Sequence, residues 1–205
     1  MRRIGLVAGL AAFAATAVLA VTRDARTSSG PLGPEGVPIP AAPSAARVRR
    51  VAMAQRIDGI SCQPAEAVLF HTHAHLTIFV GGAPRQVPAG IGIAPPLAVE
   101  HASAGAFVAG ASCFMWLHTH AADGIIHTES PVERVYTLGD FFDVWGAPLD
   151  SRRVGDARGA VTAFVDGHVH PGDPRRIPLR AHAQIQLDVG RPLVAPDHIS
   201  FPSGL

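Results

Sequence analysis

Hydrophobic and polar positions alternate most regularly over residues 70–80, FHTHAHLTIFV. Thr72, Ala74, Leu76, Ile78 and Val80 share one parity, and His71, His73 and His75 share the other. A period of two belongs to a β-strand, whose successive side chains point to opposite faces. The pattern therefore predicts a strand with one face in a core and a row of histidines on the other. Gly81-Gly82 predicts the next turn, and residues 83–87 a returning strand. Residues 88–96, PAGIGIAPP, read as a loop or irregular edge, because Pro cannot donate to an interior ladder. Residues 97–111 are rich in Ala and Gly and specify no element strongly. Residues 113–119, CFMWLHT, are apolar on both parities, which predicts a central strand covered on both faces, with Trp116 sharing the parity of His118.

A short helix is predicted over residues 137–146, TLGDFFDVWG. Thr137 is the N-cap, Asp140 three residues on completes a capping-box pattern, and Gly146 suits the C-terminal end. Residues 160–190 read as antiparallel strands, with a hairpin signal at Asp166-Gly167 and a last alternating strand at 183–189.

The most informative stretch is residues 117–131, LHTHAADGIIHTESP. Asp123-Gly124 signals a two-residue turn of type I′. Counting outwards from that turn, His120 faces His127 and His118 faces Glu129. His118, His120, His127 and Glu129 then share one face of one hairpin. Directly opposed residues have Cβ atoms roughly 5 Å apart. Imidazoles at that spacing converge on one ion with bonds of about 2.0–2.1 Å. A one-residue slip would destroy the arrangement.

Composition narrows the setting. A formal net charge of +1 over 205 residues offers no basic field for nucleic acid. Arg2-Arg3 followed by an apolar run over residues 4–21 reads as a signal peptide or a membrane anchor, which implies export to the periplasm or another extracytoplasmic compartment. Residues 22–56 read as a linker rich in Pro, Ala and Gly, residues 57–190 as the globular domain, and residues 191–205 as a tail. In an oxidising compartment Cys62 and Cys113 would pair as a disulfide; the alternative is a Cys113 thiolate ligand, which its parity disfavours. The fold class expected is α+β, a mainly antiparallel β domain with one short helix.

The candidate metal ligands are His118, His120, His127, His73, His75 and Glu129. Imidazole suits zinc, copper and nickel, and an all-nitrogen-and-oxygen donor set does not choose among them; zinc or copper is the expected ion. His168 and His170 have no acidic or histidine partner opposite and are expected on an exposed hairpin edge. His101, His182 and His198 receive no role.

With HTHAHLTIFV, the IGI loop, LHTHAADGIIHTESP and TLGDFFDVWG in one chain, the sequence resembles a family of uncharacterised exported bacterial and archaeal proteins over roughly residues 57–190. That resemblance implies one shared site from His73, His75, His118, His120, His127 and Glu129, and implies no particular chemistry. The HxH-plus-third-His spacing is also similar to the zinc centres of α-type carbonic anhydrases and the metal centres of cupins, in ligand spacing alone.

Two functions fit these residues. The first is an exported transition-metal-binding protein, anchored to the membrane or free of it, whose motivating feature is a surplus of ligands over the four a zinc ion takes. The second is a metal-dependent enzyme, a hydrolase or hydratase, or an oxidase with copper or iron. There three histidines leave a position for water or a small-molecule substrate, and Glu129 acts as general base. A purely structural metal tie between two β-elements is a third reading.

Overall fold

The computed structural model describes residues 21–22 and 30–205. The signal or anchor segment lies almost wholly outside the described residues. Among the described residues no helix is long and apolar enough to cross a membrane. Among the described residues the fold is α+β, mainly antiparallel β, with a single short α-helix.

The strands that position the site are β1 (Ile60–Gln63), β2 (Phe70–Val80), β3 (Ala83–Arg85), β4 (Ile93–Ala94), β5 (Ala98–Ala102), β6 (Gly105–Gly110), β7 (Cys113–Met115), β8 (Leu117–His118) and β9 (Ile125–Ser130). After helix α1 (Leu138–Trp145) come β10 (Val161–Val165), β11 (His168–His170) and β12 (Gln184–Val189). The main sheet has the order β8-β9-β2-β12-β10-β11, with β3 also paired to β2. Its pairs are antiparallel except β2 with β12, which run parallel.

Alternation assigns the two faces of this sheet. Ala74, Leu76, Ile78, Leu117, Ile126, Ile185 and Leu187 point into one core cluster, which they share with Phe141, Phe142 and Trp145 of α1. The helix has the caps its sequence predicts: Thr137 and Asp140 form a reciprocal capping box, and Gly146 ends it at φ 77°. The opposite face is polar. It carries the histidines of β2, β8 and β9, and then Gln186 and Asp188 of β12, all buried except His71.

That polar face is covered by the two segments read as linker and tail. From the first segment Val37 is buried and Glu35 bonds His127 of the polar face, while Ala45, Ala46 and Val51 join the core cluster on the other side. Leu193 and Val194 are buried too, and the Asp188 carboxylate accepts the Val194 N–H at 2.6 Å. Low hydrophobicity per residue concealed this packing. A few apolar side chains suffice when the surface beneath them is already formed.

Residues 113–119 do not make one central strand. β7 pairs with β1 and β4 in a small second sheet, and β8 forms the edge of the main sheet. Trp116 lies at the crossing, where its carbonyl accepts the Glu129 N–H and its indole donates to Gln63. Cys62 and Cys113 are joined as a disulfide, which ties β1 to β7. Residues 97–111 hold an unexpected hairpin, β5 with β6. At Asp166-Gly167 both residues have positive φ and Val165 faces His168, the predicted two-residue hairpin.

Candidate metal centre

The hairpin between β8 and β9 pairs in a register two residues from the predicted one. Leu117 faces Thr128 and His118 faces His127. The two-residue turn at Asp123-Gly124 does not form. Its place is taken by residues 119–124, whose backbone bonds elsewhere: Thr119 with Gly90 and Ile91, and His120 O with the Val108 N–H. Asp123 instead accepts the Ile125 N–H through Oδ1. A slip of two preserves parity, so His118, His127 and Glu129 stay on one face.

Strand β2 continues that face. His73 lies opposite His127, His71 opposite Glu129, and His75 opposite Ile125. Three neighbouring strands thus place His118, His127 and His73 side by side. His120 approaches from the loop: its ring stacks on Phe107 at 4.8 Å and lies edge-on to His127 at 4.7 Å. The shared parity of Trp116 and His118 predicts that Trp116 walls the site, but it packs in the core; the aromatic wall is Phe107 and Phe114, the latter 5.6 Å from the His118 ring.

Among the described residues, two groups of side chains could hold a metal ion. One is His118, His120, His127 and Glu129, all buried; the other is His71, His73 and His127. Within each group the donor atoms lie within 4.8 Å of one another. His75 belongs to neither. Its ring donates from Nε2 to the Asp123 carbonyl at 3.0 Å, because β9 offers no histidine opposite it.

Hydrogen bonding fixes which nitrogens are free. A carbonyl oxygen only accepts, so the ring nitrogen facing it must carry the proton. His118 Nδ1 lies 2.8 Å from Met115 O, and His120 Nδ1 lies 2.6 Å from Val108 O. Burial, then the neighbouring His127, hold both rings below the ordinary histidine pKa, His118 well below it. Both rings are therefore neutral at pH 7, and both Nε2 atoms are bare lone pairs. They face each other at 3.0 Å. Two acceptors at that distance repel unless a cation lies between them.

Three residues outside the predicted set, Glu35, Glu66 and His71, complete the site. Glu35 reaches in from the segment read as linker, and its Oε1 accepts from His127 Nε2 at 2.7 Å. This leaves His127 Nδ1 pointing at His73 Nε2, 3.1 Å away, and at Glu129 Oε1, 3.5 Å away. Glu66 Oε1 lies 3.4 Å from His120 Nε2. No local sequence signal marks either glutamate. His71 did have a signal, the parity it shares with His73.

Electrostatics follow from the burial of acids and imidazoles together. Burial pushes the Glu129 carboxyl up, but His127, His118 and His71 outweigh it and bring it to about 2. For His127 burial acts downward, and its bonds to Glu129 and Glu35 outweigh that and raise it to about 9. His73 falls to about 4, through burial and then His127 and His71. Without a metal, one proton on His127 is the cation between two buried carboxylates.

The cluster floors a cleft of about 700 Å³, rimmed by Glu35, Glu66, Phe107 and the C-terminal residues 202–205. His168 and His170 lie away from it on β11, His168 exposed and bonded to the Asp166 carbonyl. His182 Nε2 donates to the Leu205 carbonyl. No protein-family model, curated protein or solved structure matches the chain.

Proposed function

We propose that the protein is an exported transition-metal-binding protein that holds zinc or copper on the His118, His120, His127 and Glu129 cluster. The observation that carries this reading is the pair of bare Nε2 atoms at 3.0 Å on His118 and His120. Ligating histidines usually give their other N–H to a carbonyl or carboxylate, which sets ring and tautomer. His118, His120 and His127 each do so, to Met115, Val108 and Glu35. The nitrogen donors suit zinc and copper. Export is supported by Arg2-Arg3 with the apolar run after it, and by the disulfide, which persists in oxidising compartments.

The test is elemental analysis of the whole chain, purified from a periplasmic fraction without a His-tag. A variant with His118→Ala, His120→Ala and His127→Ala is analysed beside it. The expected result is at least one equivalent of a single metal in the wild type, lost in the folded variant. No metal in either protein, even after reconstitution, sinks the reading. Recovery of the chain only in the cytoplasm would refute export.

A second reading is favoured by the cleft over the cluster: a metal-dependent hydrolase or hydratase, or an oxidase with copper. There the chain's own part is to bind substrate between Phe107 and the carboxylates. A Glu129 carboxyl held at about 2 is a weak base, which fits a metal ligand better than a general base. Zinc-loaded protein that hydrolyses an activated ester no faster than the histidine variant would count against catalysis of that class.

A further inference from the structure

Five imidazole nitrogens and both oxygens of Glu129 meet on the cleft floor. One tetrahedral ion takes four donors. Resting on the metal-binding reading, we infer that the site holds two divalent transition-metal ions, bridged by the Glu129 carboxylate.

The contacts divide the donors into two sets. His71 Nε2, His73 Nε2, His127 Nδ1 and Glu129 Oε1 form a closed ring, with successive separations of 3.0, 3.1, 3.5 and 3.1 Å. Those contacts cannot all be hydrogen bonds. Each ring nitrogen carries at most one proton, so three nitrogens supply at most three protons for four contacts. The three histidine nitrogens all lie within 4.8 Å of one another and could hold one ion, and Glu129 Oε1 borders two of them, His71 and His127.

The second set lies on the other side of Glu129. His118 Nε2 and His120 Nε2 are 3.0 Å apart, Glu129 Oε2 is 3.9 Å from His118 Nε2, and Glu66 Oε1 is 3.4 Å from His120 Nε2. Glu129 is 4% exposed, and its Oε2 has no hydrogen-bond partner. A buried carboxylate oxygen facing a bare imidazole lone pair is an uncompensated acceptor, and an ion between them removes that cost. His127 has one free lone pair, on Nδ1, so it can serve only one ion. With a single ion it completes the group of His118, His120 and Glu129; with two, its short contact with His73 gives it to the ion of His71 and His73. One ion then has His71, His73 and His127, the other His118 and His120, and the two oxygens of Glu129 go one to each.

Charge supports two ions. Glu35, Glu66 and Glu129 bring three carboxylates to the cleft, and no arginine is among the described residues that line it. Two divalent ions would exceed those three charges by one. The paired site would therefore also take one anionic ligand from the cleft.

The test uses the whole chain, stripped by chelator, reloaded with zinc or with Cu(II), and desalted. Wild type is expected to hold two equivalents. His71→Ala/His73→Ala and His118→Ala/His120→Ala are each expected to hold one. Two Cu(II) ions about 3.5–4 Å apart, the separation usual in two-metal sites, should show a half-field electron paramagnetic resonance line, absent from both variants. One equivalent in wild type, lost with His118 and His120 but kept without His71 and His73, overturns the inference and leaves the metal-binding reading standing. Two equivalents with no coupling would mean that Glu129 does not bridge, and the inference falls. No metal at all refutes both readings. If a variant fails to fold, wild-type stoichiometry and coupling decide.

Discussion

At the scale of single residues, the state of each imidazole is set by what its far nitrogen touches. Glu35 is the clearest case. It takes the His127 Nε2 proton and so aims Nδ1 at the cluster. Replacing it with Ala should weaken metal affinity by about 10–100-fold, the usual cost of losing such a partner, while Glu35→Gln keeps an acceptor and most of the affinity. A competition titration against a chromophoric chelator measures both. The proton on His127 gives a second prediction. In stripped protein its pKa is raised to about 9, so an entering metal must displace it. Apparent affinity should rise about tenfold per pH unit from pH 7 and level off above about 9. Calorimetry in two buffers of different ionisation heat should find close to one proton released at pH 7.5. No proton release would mean that His127 does not ligate.

The parity of His71, His73, His118, His127 and Glu129 was legible at this scale, because alternation is local. His75 shares that parity and still turns away. Its fate depends on where β9 begins, which the sequence does not state. Glu35 was illegible for the same kind of reason: its contact with His127 spans 92 residues and leaves no periodic trace.

At the scale of elements, α1 and the Asp166-Gly167 hairpin follow from capping and turn chemistry within ten residues. The loop before β9 does not. Asp123-Gly124 has the composition of a hairpin turn, but backbone bonds from Thr119 and His120 to distant residues draw the chain out of the hairpin first. Gly124 is required there for another reason. It has φ +90°, and a Cβ on it would sit 2.4 Å from the Leu76 carbonyl oxygen and 3.1 Å from His75 Nε2. Gly124→Ala should destabilise the fold by about 2 kcal/mol or more, through strain and the clash together. Chemical denaturation reads this directly, and a loss below about 0.5 kcal/mol, the usual range for surface changes, would contradict the close approach.

At the scale of the whole molecule, the site is closed by segments from both ends of the described chain and by two sheets held together. The disulfide spans 51 residues. Reducing it should cost about 2–4 kcal/mol of stability, seen as a lower denaturation midpoint in reductant. The acid limit follows from His75. Burial lowers it to about 4 against 6.5 for the free side chain. A histidine depressed in the fold stabilises above 6.5, and that contribution is lost as pH falls to about 4, because the unfolded chain takes the proton first. Stripped protein should therefore lose stability progressively from pH 6.5 to 4, and His75→Gln should flatten part of that slope. An unchanged slope would point to other groups.

The strands β2 and β9 carry the cluster and the core on alternate residues: His73 between Thr72 and Ala74, His127 between Ile126 and Thr128. Each strand is in effect read in a frame of two. Inserting or deleting a single residue within either would exchange the two sets, driving imidazoles into the core and aliphatic side chains into the cleft. Length changes in this protein can therefore accumulate in its loops, while the two strands that hold the cluster must keep their count.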